Sequence, residues 1–238
     1  MFDAAPRIAA NLLSVRQRIA EAAQRSGRPA EAVRLVAVTK YVGATEIEAL
    51  LAAGCRELGE ARPQDLWRKT EAIRGRDVRW HLIGHLQRNK LIRTLPLVDL
   101  LHSADGRTLL EAIDAWGRSA GSPVEVLLEV NLSGDAAKHG FPPDEVLSLW
   151  PGMASLAGLR IRGLMGMSGR EATSDDARRQ FAALRLLRDT LLAAGADAGV
   201  LSELSMGMTD DFEIAIEEGA TLVRVGSALF EGVENLRG

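Results

Sequence analysis

The spacing of apolar residues along the chain changes repeatedly between that of a helix and that of a buried strand. Residues 4–26 place Ile8, Leu12, Val15 and Ile19 three or four positions apart, with polar side chains between them. This spacing predicts an amphipathic helix that ends at Gly27. After it, short runs that are apolar at consecutive positions alternate with amphipathic stretches. That alternation is typical of parallel strands covered by helices on both faces.

The alternation predicts about eight strand–helix units. Strands are predicted at residues 34–39, 57–59, 78–83, 97–101, 124–130, 159–165, 201–205 and 222–225. Helices are predicted at residues 45–53, 63–73, from about 89, 107–118, 144–150, 176–194, 210–218 and 228–231. This order predicts an α/β fold, a single TIM-type (β/α)8 barrel with an extra N-terminal helix, and one domain over residues 1–238. A doubly wound open sheet is the alternative, although no Gly-x-Gly-x-x-Gly follows the first strand.

Composition and charge narrow the possible function classes. The 238 residues are 47% hydrophobic and 26% charged, as in ordinary globular domains with a sizeable core. The 29 basic and 32 acidic residues leave a net charge of −3, which argues against nucleic-acid binding because such proteins carry a basic excess on one face. The locally basic run at residues 68–79 is interrupted by Glu71 and Asp77, so we interpret it as a solvated helix face.

Cysteine use and apolar run lengths bear on location. Cys55 is the only cysteine, so no intramolecular disulfide can form and a reducing compartment fits. Arg7, Asn11 and Arg16 interrupt the N-terminal segment, which therefore lacks the apolar core of a signal peptide. No stretch approaches the roughly 20 apolar residues of a membrane span. These features predict a cytoplasmic protein without a membrane partner.

Lys40 stands at the C-terminal end of the first predicted strand, directly after Leu35-Val36-Ala37-Val38-Thr39. Burial of an amine disfavours its ammonium form, and a neutral amine can attack a carbonyl to form a Schiff base. We therefore consider Lys40 a candidate reactive lysine. The alternative is a solvated lysine at a strand end, since lysines are mostly exposed.

Two glycine-containing turns follow the last two strands. They are Ser205-Met206-Gly207-Met208 and Gly226-Ser227. Phosphate groups in barrels often bind after strands seven and eight, and Gly226-Ser227 opens a short predicted helix whose free N–H groups attract an anion. Ser205 and Gly207 would supply a hydroxyl and an accessible backbone. The alternative is two tight turns that need glycine only for a positive φ. With Lys40, the turns indicate pyridoxal phosphate as cofactor.

Arg224 interrupts a strand that is otherwise apolar on both faces. A buried arginine requires an anion or an acceptor, because an unpaired buried charge is very costly. It could pair with Glu213 or Glu217 of the preceding helix, or donate to a ring nitrogen of a cofactor. Because arginine stays protonated, it would keep a pyridine nitrogen unprotonated and weaken the ring as an electron sink.

The remaining polar residues have structural interpretations. His81 and His85 are four positions apart, but they lie on a predicted strand and glycine turn, without a following glutamate, so we expect no metal site. His81 is expected to form a hydrogen bond in the core or near the cofactor. Asp210 and Glu213 are predicted to form a capping box. No arrangement of a catalytic triad, a Cys–His pair or paired carboxylates is recognisable, so no catalytic residue is predicted.

Six segments together match the motifs of one known family. They are LVAVTK at 35–40, GE at 59–60, WHLIGHLQRNK at 80–90, RGLM at 162–165, SMGMTDD at 205–211 and VRVGSALF at 223–230. In these motifs, which follow one another over nearly the whole chain, the sequence resembles the pyridoxal phosphate homeostasis protein family, also called the proline synthetase co-transcribed family. The resemblance implies a barrel like the N-terminal domain of alanine racemase.

The resemblance also implies roles for individual residues. Lys40 would form the internal aldimine with pyridoxal phosphate, and Arg224 would face the pyridine nitrogen. The phosphate would be held by Ser205, Met208, Gly226 and Ser227. One departure is Ala61, which stands where the family usually has an asparagine after Gly-Glu. Without the asparagine side chain, a polar contact to the cofactor would be missing, and the affinity for the cofactor would differ from that of the family.

The function implied by the resemblance is non-enzymatic. Family members buffer and deliver pyridoxal phosphate, with apo forms of cofactor-dependent enzymes as recipients, and so affect amino-acid and keto-acid balance. A racemase is the alternative, but it would require a second base opposite Lys40, and the only tyrosine, Tyr41, is adjacent to it. A class I aldolase is a weaker third possibility because no carboxylates are identifiable beside Lys40. We expect a monomer.

Overall fold

In the computed structural model, which describes residues 4–133, 139–169, 171–197 and 199–233, the parallel strands close into a barrel. Each strand pairs with the next along the chain, and β8 pairs with β1. Within the described residues the strands are β1 (Arg34–Val38), β2 (Glu57–Glu60), β3 (Arg79–Leu82), β4 (Leu100–Ala104), β5 (Val124–Val130), β6 (Leu159–Gly166), β7 (Glu203–Ser205) and β8 (Leu222–Val225). The predicted (β/α)8 barrel is confirmed.

Helices surround the barrel. Those in the described part of the chain are α1 (Ala5–Arg25), α2 (Ala44–Ala52), α3 (Pro63–Ala72), α4 (Leu91–Thr94), α5 (Arg107–Ala120), α6 (Pro143–Ala154), α7 (Ser174–Ala193) and α8 (Phe212–Glu217). Short 3₁₀ turns lie at Ala30–Ala32, Arg88–Lys90, Leu95–Leu97 and Ser227–Phe230. No helix in this part of the chain is both long enough and apolar enough to cross a membrane.

The extra helix α1 forms as its apolar spacing predicts. Ile8, Leu12, Val15 and Ile19 are all buried, and they form one stripe along the helix. The helix packs against α2 and α8. On its polar face, Arg18 and Arg25 pair with carboxylates of α8 at 2.5 and 2.8 Å. These contacts attach α1 to the barrel beside the last two strands.

Two apolar clusters lie on the two faces of the strands. The larger cluster fills the layer between the strands and the helices. The smaller one lies inside the barrel and consists of Val36, Leu100, Leu127, Met165 and Leu222. Because side chains alternate along a strand, the residues two positions from these point into the barrel as well. This alternation directs several polar side chains to the barrel axis and its C-terminal mouth.

Several predicted boundaries were wrong. β4 begins at Leu100 and not at residue 97, because Leu95–Leu97 forms a 3₁₀ turn. Helix α8 begins at Phe212, so Asp210 does not cap it. The residue before that helix, Asp211, instead accepts hydrogen bonds from the Ser168 hydroxyl and the Met208 N–H, each at 2.6 Å. Its carboxylate therefore holds the loop after β7 and leaves the helix end without a side-chain cap.

Candidate functional site

A cavity of about 280 Å³ opens at the C-terminal mouth of the barrel, beside the ends of β1, β7 and β8. Its volume lies near the lower end of the roughly 300–1,000 Å³ range of small-molecule sites. The residues that line it are Val38, Lys40, Tyr41, Met208, Thr209, Asp210, Gly226, Ser227 and Phe230. It therefore combines an amine, a carboxylate, two aliphatic hydroxyls and two aromatic side chains on a largely apolar base.

Lys40 reaches this cavity because it continues the inward-facing series of β1 after Val36 and Val38. It lies two residues beyond the end of the strand and is half-buried, less enclosed than the sequence suggested. Its Nζ lies 4.9 Å from the centre of the Tyr41 ring. The amine is thus held at the mouth, where a small molecule can reach it.

The residue before Lys40 faces the other way and is firmly anchored. The Thr39 carbonyl accepts a hydrogen bond of 2.6 Å from the Nζ of Lys69, and the Thr39 hydroxyl donates to the Gly59 carbonyl at 3.2 Å. Lys69 also pairs with the buried carboxylate of Glu60 at 2.5 Å. We interpreted the segment around Lys69 as a solvated helix face, and for Lys69 this was wrong. The helical spacing of Leu66, Lys69 and Ile73 was the signal for burial.

The Thr209 and Ser227 hydroxyls and the Gly226 backbone line the same cavity as Lys40. The Ser227 hydroxyl lies 3.0 Å from the Thr209 hydroxyl, which also accepts a hydrogen bond of 3.3 Å from the Gly226 N–H. A Cβ on Gly226 would come within 3.3 Å of the Val38 Cβ, so glycine lets β8 and β1 approach closely here. The sequence analysis named Gly226 and Ser227 but missed Thr209. The sequence signal for Thr209 was its hydroxyl, four positions after Ser205.

Ser205 and Gly207 do not line this cavity. The Ser205 hydroxyl is fully buried inside the barrel, 2.9 Å from the Nδ1 of His102. Gly207 has a φ of +89°, and a Cβ there would come within 2.5 Å of the Ala215 Cβ on α8. Its glycine is thus required for packing and for the turn. Met208 does line the cavity.

Arg224 lies inside the barrel, on β8. Its Nη1 donates to the Ser205 hydroxyl at 2.5 Å and its Nη2 to the Gly166 carbonyl at 3.0 Å. The alternative pairing with α8 is absent among the described contacts, because Glu213 and Glu217 pair with arginines of α1 and α7. Burial lowers the pKa of Arg224 to about 10, opposed by the charges of Asp211 and Glu129. The guanidinium is therefore still a cation at neutral pH.

Glu129 is a titratable group at the mouth that the sequence did not single out. It lies on the inward face of β5, two residues beyond Leu127, and is buried. Burial and the neighbouring Asp105 raise the pKa of Glu129 to about 7, against the opposing charges of Arg224 and His85. It therefore changes protonation near neutral pH.

The two histidines of the Trp-His-Leu-Ile-Gly-His segment lie in different parts of the barrel. His81 points into the barrel, where its Nδ1 lies 2.9 Å from the Nε2 of His102. His85 lies at the mouth, 2.6 Å from the Asp105 carboxylate, and its ring stacks on that of His139 at 4.4 Å between centroids. The spacing of His85 and Asp105 is that of a direct hydrogen bond. His102, which the sequence analysis did not name, is the partner of His81.

Comparison with known proteins identifies the family. Residues 10–233 match the family model described as alanine racemase, N-terminal domain. The pyridoxal phosphate homeostasis protein of Aquifex aeolicus is 37% identical over 219 residues, which cover 92% of this chain and 95% of that protein. That of Pseudomonas aeruginosa is 39% identical over 223 residues, 94% of each chain. The chain belongs to the pyridoxal phosphate homeostasis protein family.

Solved structures agree with this assignment. PipY of Synechococcus elongatus, solved with pyridoxal phosphate bound, superposes with a TM-score of 0.82 at 35% identity and covers 94% of this chain and 99% of its own. Alanine racemase of Clostridium difficile shares the fold, with a TM-score of 0.74 at 15% identity over 96% of this chain. The match spans only 57% of that racemase. The chain thus corresponds to the racemase barrel.

The backbone around Ala61, where the resemblance implies an asparagine, is held by groups other than the side chain at this position. The Ala61 N–H donates to the Glu60 carboxylate at 2.7 Å, and its carbonyl would be 2.3 Å from a Cβ on Gly84. The backbone here is therefore fixed by Glu60 and by the close approach of Gly84, independently of the side chain at position 61.

Proposed function

We propose that the chain binds pyridoxal 5′-phosphate, holds it as a Schiff base on Lys40, and serves cofactor homeostasis without catalytic turnover, so that it affects amino-acid and keto-acid balance. The observation that carries the proposal is that Lys40 and the Thr209–Ser227 hydroxyl pair line one cavity of about 280 Å³. An amine for the aldehyde and hydroxyls for the phosphate are the two groups this cofactor needs. The names of the relatives and the cofactor in PipY support it.

Each residue has a distinct task in this proposal. The neutral Nζ of Lys40 attacks the aldehyde carbon, a C=N bond forms, and the aldehyde oxygen leaves as water. Thr209, Ser227 and the Gly226 backbone bind the phosphate, with Met208 packed beside them. Arg224 donates to the pyridine nitrogen and, as a permanent cation, keeps that nitrogen unprotonated. A ring in that state is a weak electron sink, which favours holding the cofactor over carbanion chemistry.

The racemase alternative rests on the shared barrel and lacks a partner for Lys40. Tyr41 is 65% exposed and directly follows Lys40, so it does not face that lysine across a bound ring. A racemisation assay with alanine decides between the two functions. We expect no rate above that of the Lys40→Ala variant, and a rate above it would contradict the non-enzymatic function.

Borohydride reduction followed by peptide mapping tests the Schiff base directly. The chain has four lysines, of which Lys69 is sealed by Glu60 and Thr39, while Lys138 lies outside the described residues. We expect the reduced label on Lys40, its loss in Lys40→Ala and its retention in the matched control Lys90→Ala. A label on Lys90 or Lys138 would contradict the assignment.

Transfer of the cofactor to an apo-enzyme tests the homeostatic part. The loaded protein and an equal concentration of free pyridoxal phosphate are each mixed with an apo aminotransferase, and recovery of its activity is followed. We expect recovery from the loaded protein, with a time course that differs from that of the free cofactor. If the apo-enzyme recovers only at the rate at which the cofactor dissociates into solution, delivery is ruled out and storage remains.

A further inference from the structure

A line of polar side chains crosses the inside of the barrel from its N-terminal end to Arg224. It comprises Glu57, His81, His102, Ser205 and Arg224, one each from β2, β3, β4, β7 and β8. His81, His102 and Ser205 have no exposed surface, and Arg224 is 3% exposed. The successive contacts from Arg224 to His81 measure 2.5, 2.9 and 2.9 Å. We call these five residues the interior chain.

The chemistry of the donors gives the interior chain one direction. Arginine only donates, so the Ser205 oxygen accepts from Arg224. The Ser205 hydroxyl proton then goes to the Nδ1 of His102, its only other hydrogen-bond partner among the described residues. His102 therefore carries its own proton on Nε2 and donates it to the Nδ1 of His81.

The last contact of the interior chain ends on a carboxylate. With its Nδ1 accepting, His81 carries its proton on Nε2, which lies 3.3 Å from the Oε2 of Glu57. Neither atom has an aligned hydrogen bond, so this contact is chiefly electrostatic. Burial raises the pKa of the Glu57 carboxyl, but contact with His81 and the charge of Arg34 outweigh it, and the net pKa is lowered. A cation thus begins the chain and an anion ends it.

We propose that His102 and His81 are positioning residues that, through Ser205, fix the Arg224 guanidinium for the pyridine ring nitrogen of the cofactor. This inference rests on the proposed function of the site. In such barrels, branched apolar side chains fill most of the inward positions, as Leu100 and Leu127 do here. A line of buried polar side chains among them costs free energy unless each group has a hydrogen-bond partner. The end of this line at the mouth of the barrel is the Arg224 guanidinium. A neutral His102 accepts and donates without adding a second charge beside Arg224.

Burial and the nearby charges support the neutral state of the central histidine. Burial, together with His81 and Arg224, lowers the pKa of His102 well below its usual range. A neutral imidazole with a proton on Nε2 satisfies both of its observed contacts. The opposite tautomer would leave the Ser205 hydroxyl proton without an acceptor inside the barrel.

Nitrogen-15 NMR of the histidine side chains in the cofactor-free protein tests the interior chain itself. We expect His102 to be neutral at pH 7, with the proton on Nε2 in both the His81 and His102 rings. In the Ser205→Ala variant, the Nδ1 of His102 loses its donor and its chemical shift should change. A cationic His102, or a proton on its Nδ1, would overturn the proposed direction whether or not the protein binds pyridoxal phosphate.

Cofactor retention in matched variants tests the positioning role. The Ser205→Ala variant should bind pyridoxal phosphate about tenfold more weakly, a loss of about 1.4 kcal/mol of binding free energy. The absorption band of its bound cofactor should also shift. Ser205→Thr, which keeps the hydroxyl, should restore both. Ser103→Ala is the control, because Ser103 is equally buried on β4 but donates to the Gly84 carbonyl outside the interior chain.

The outcomes separate the two proposals. If the parent protein is labelled on Lys40 but Ser205→Ala retains the cofactor as Ser103→Ala does, the positioning role is overturned and the proposed function stands. If the parent protein binds no pyridoxal phosphate, both are overturned. A loss in Ser205→Ala that Ser205→Thr repairs supports the inference, even where both variants unfold at a lower temperature than the parent.

Discussion

The two faces of the same strands carry different chemistry. The outer face packs against the helices through an apolar layer that includes Leu58, Leu82, Leu128 and Val223. The inner face holds a five-residue apolar cluster, and its remaining positions include the five polar side chains of the interior chain. The outer layer resembles an ordinary core, whereas the inner layer is organised around Arg224. We expect stability to depend mainly on the outer face of this barrel and cofactor binding mainly on the inner one.

One buried ion pair lies on the outer face and complicates this division. Lys69 of α3 and Glu60 of β2 lie behind Lys40 and hold the carbonyl of Thr39. The pair is thus an outer-layer feature that fixes the backbone directly before Lys40, whose side chain faces inward. Substitutions there should affect both stability and cofactor binding, whereas substitutions elsewhere should affect mainly one of them.

The largest expected effect comes from breaking this pair. Lys69→Met leaves the Glu60 carboxylate buried without its cation, and removal of one partner of a buried pair costs about 3–5 kcal/mol. Urea unfolding should show this loss of unfolding free energy. Retention of pyridoxal phosphate by the folded fraction should fall as well, since the Thr39 carbonyl also loses its donor.

A double variant provides the control for this effect. Lys69→Met with Glu60→Leu removes both charges and should recover part of the lost unfolding free energy, because replacement of a buried pair by apolar groups is often neutral. The recovery is partial because the Ala61 N–H and the Thr39 hydroxyl lose the Glu60 carboxylate as an acceptor. Cofactor retention should remain low in the double variant. If retention returned together with stability, the pair would have no role in fixing the backbone before Lys40.

The sequence was sufficient for the barrel and for part of the site, for identifiable reasons. Apolar runs such as that at 124–130 predicted their strands residue by residue, and Lys40, Gly226 and Ser227 fell at strand ends where barrels bind ligands. Interior contacts between distant strands were not predictable in this way. His102 and Ser205 are 103 positions apart, and only closure of the barrel brings them together. Lys69 was misread because charged runs are usually solvated.

A smaller, pH-dependent effect is expected on the inner face at Glu129. Its folded-state pKa of about 7 lies above the usual 4.5, so the native state binds the proton more tightly than the unfolded state. The Glu129 carboxyl therefore lowers the free energy of unfolding as pH rises from about 4.5 to 7. Glu129→Gln should remove that loss, so that its gain in unfolding free energy over the parent grows across this window to at most about 3 kcal/mol.

Glu125→Gln is the matched control for the pH effect. Glu125 lies on the same strand, but its side chain is 37% exposed and pairs with Arg162 at 3.3 Å. Its substitution should give no comparable gain with pH. A pH-independent difference between Glu129→Gln and the parent would contradict the assigned protonation of the inner face.

The smallest expected effect tests the helix layer at a residue that does not line the cavity. Helix α7 begins after Thr173, whose hydroxyl accepts a hydrogen bond of 3.2 Å from the Asp176 N–H while the Asp176 carboxylate accepts from the Thr173 N–H at 3.1 Å. Thr173→Ala removes this cap, which costs about 1 kcal/mol and lowers the melting temperature by about 2–4 °C in a chain of this size. Thr173→Ser keeps the hydroxyl and should behave as the parent. Because no residue of α7 lines the cavity, cofactor retention should be the same in all three proteins, and a lower retention in Thr173→Ala would contradict the division between the two faces.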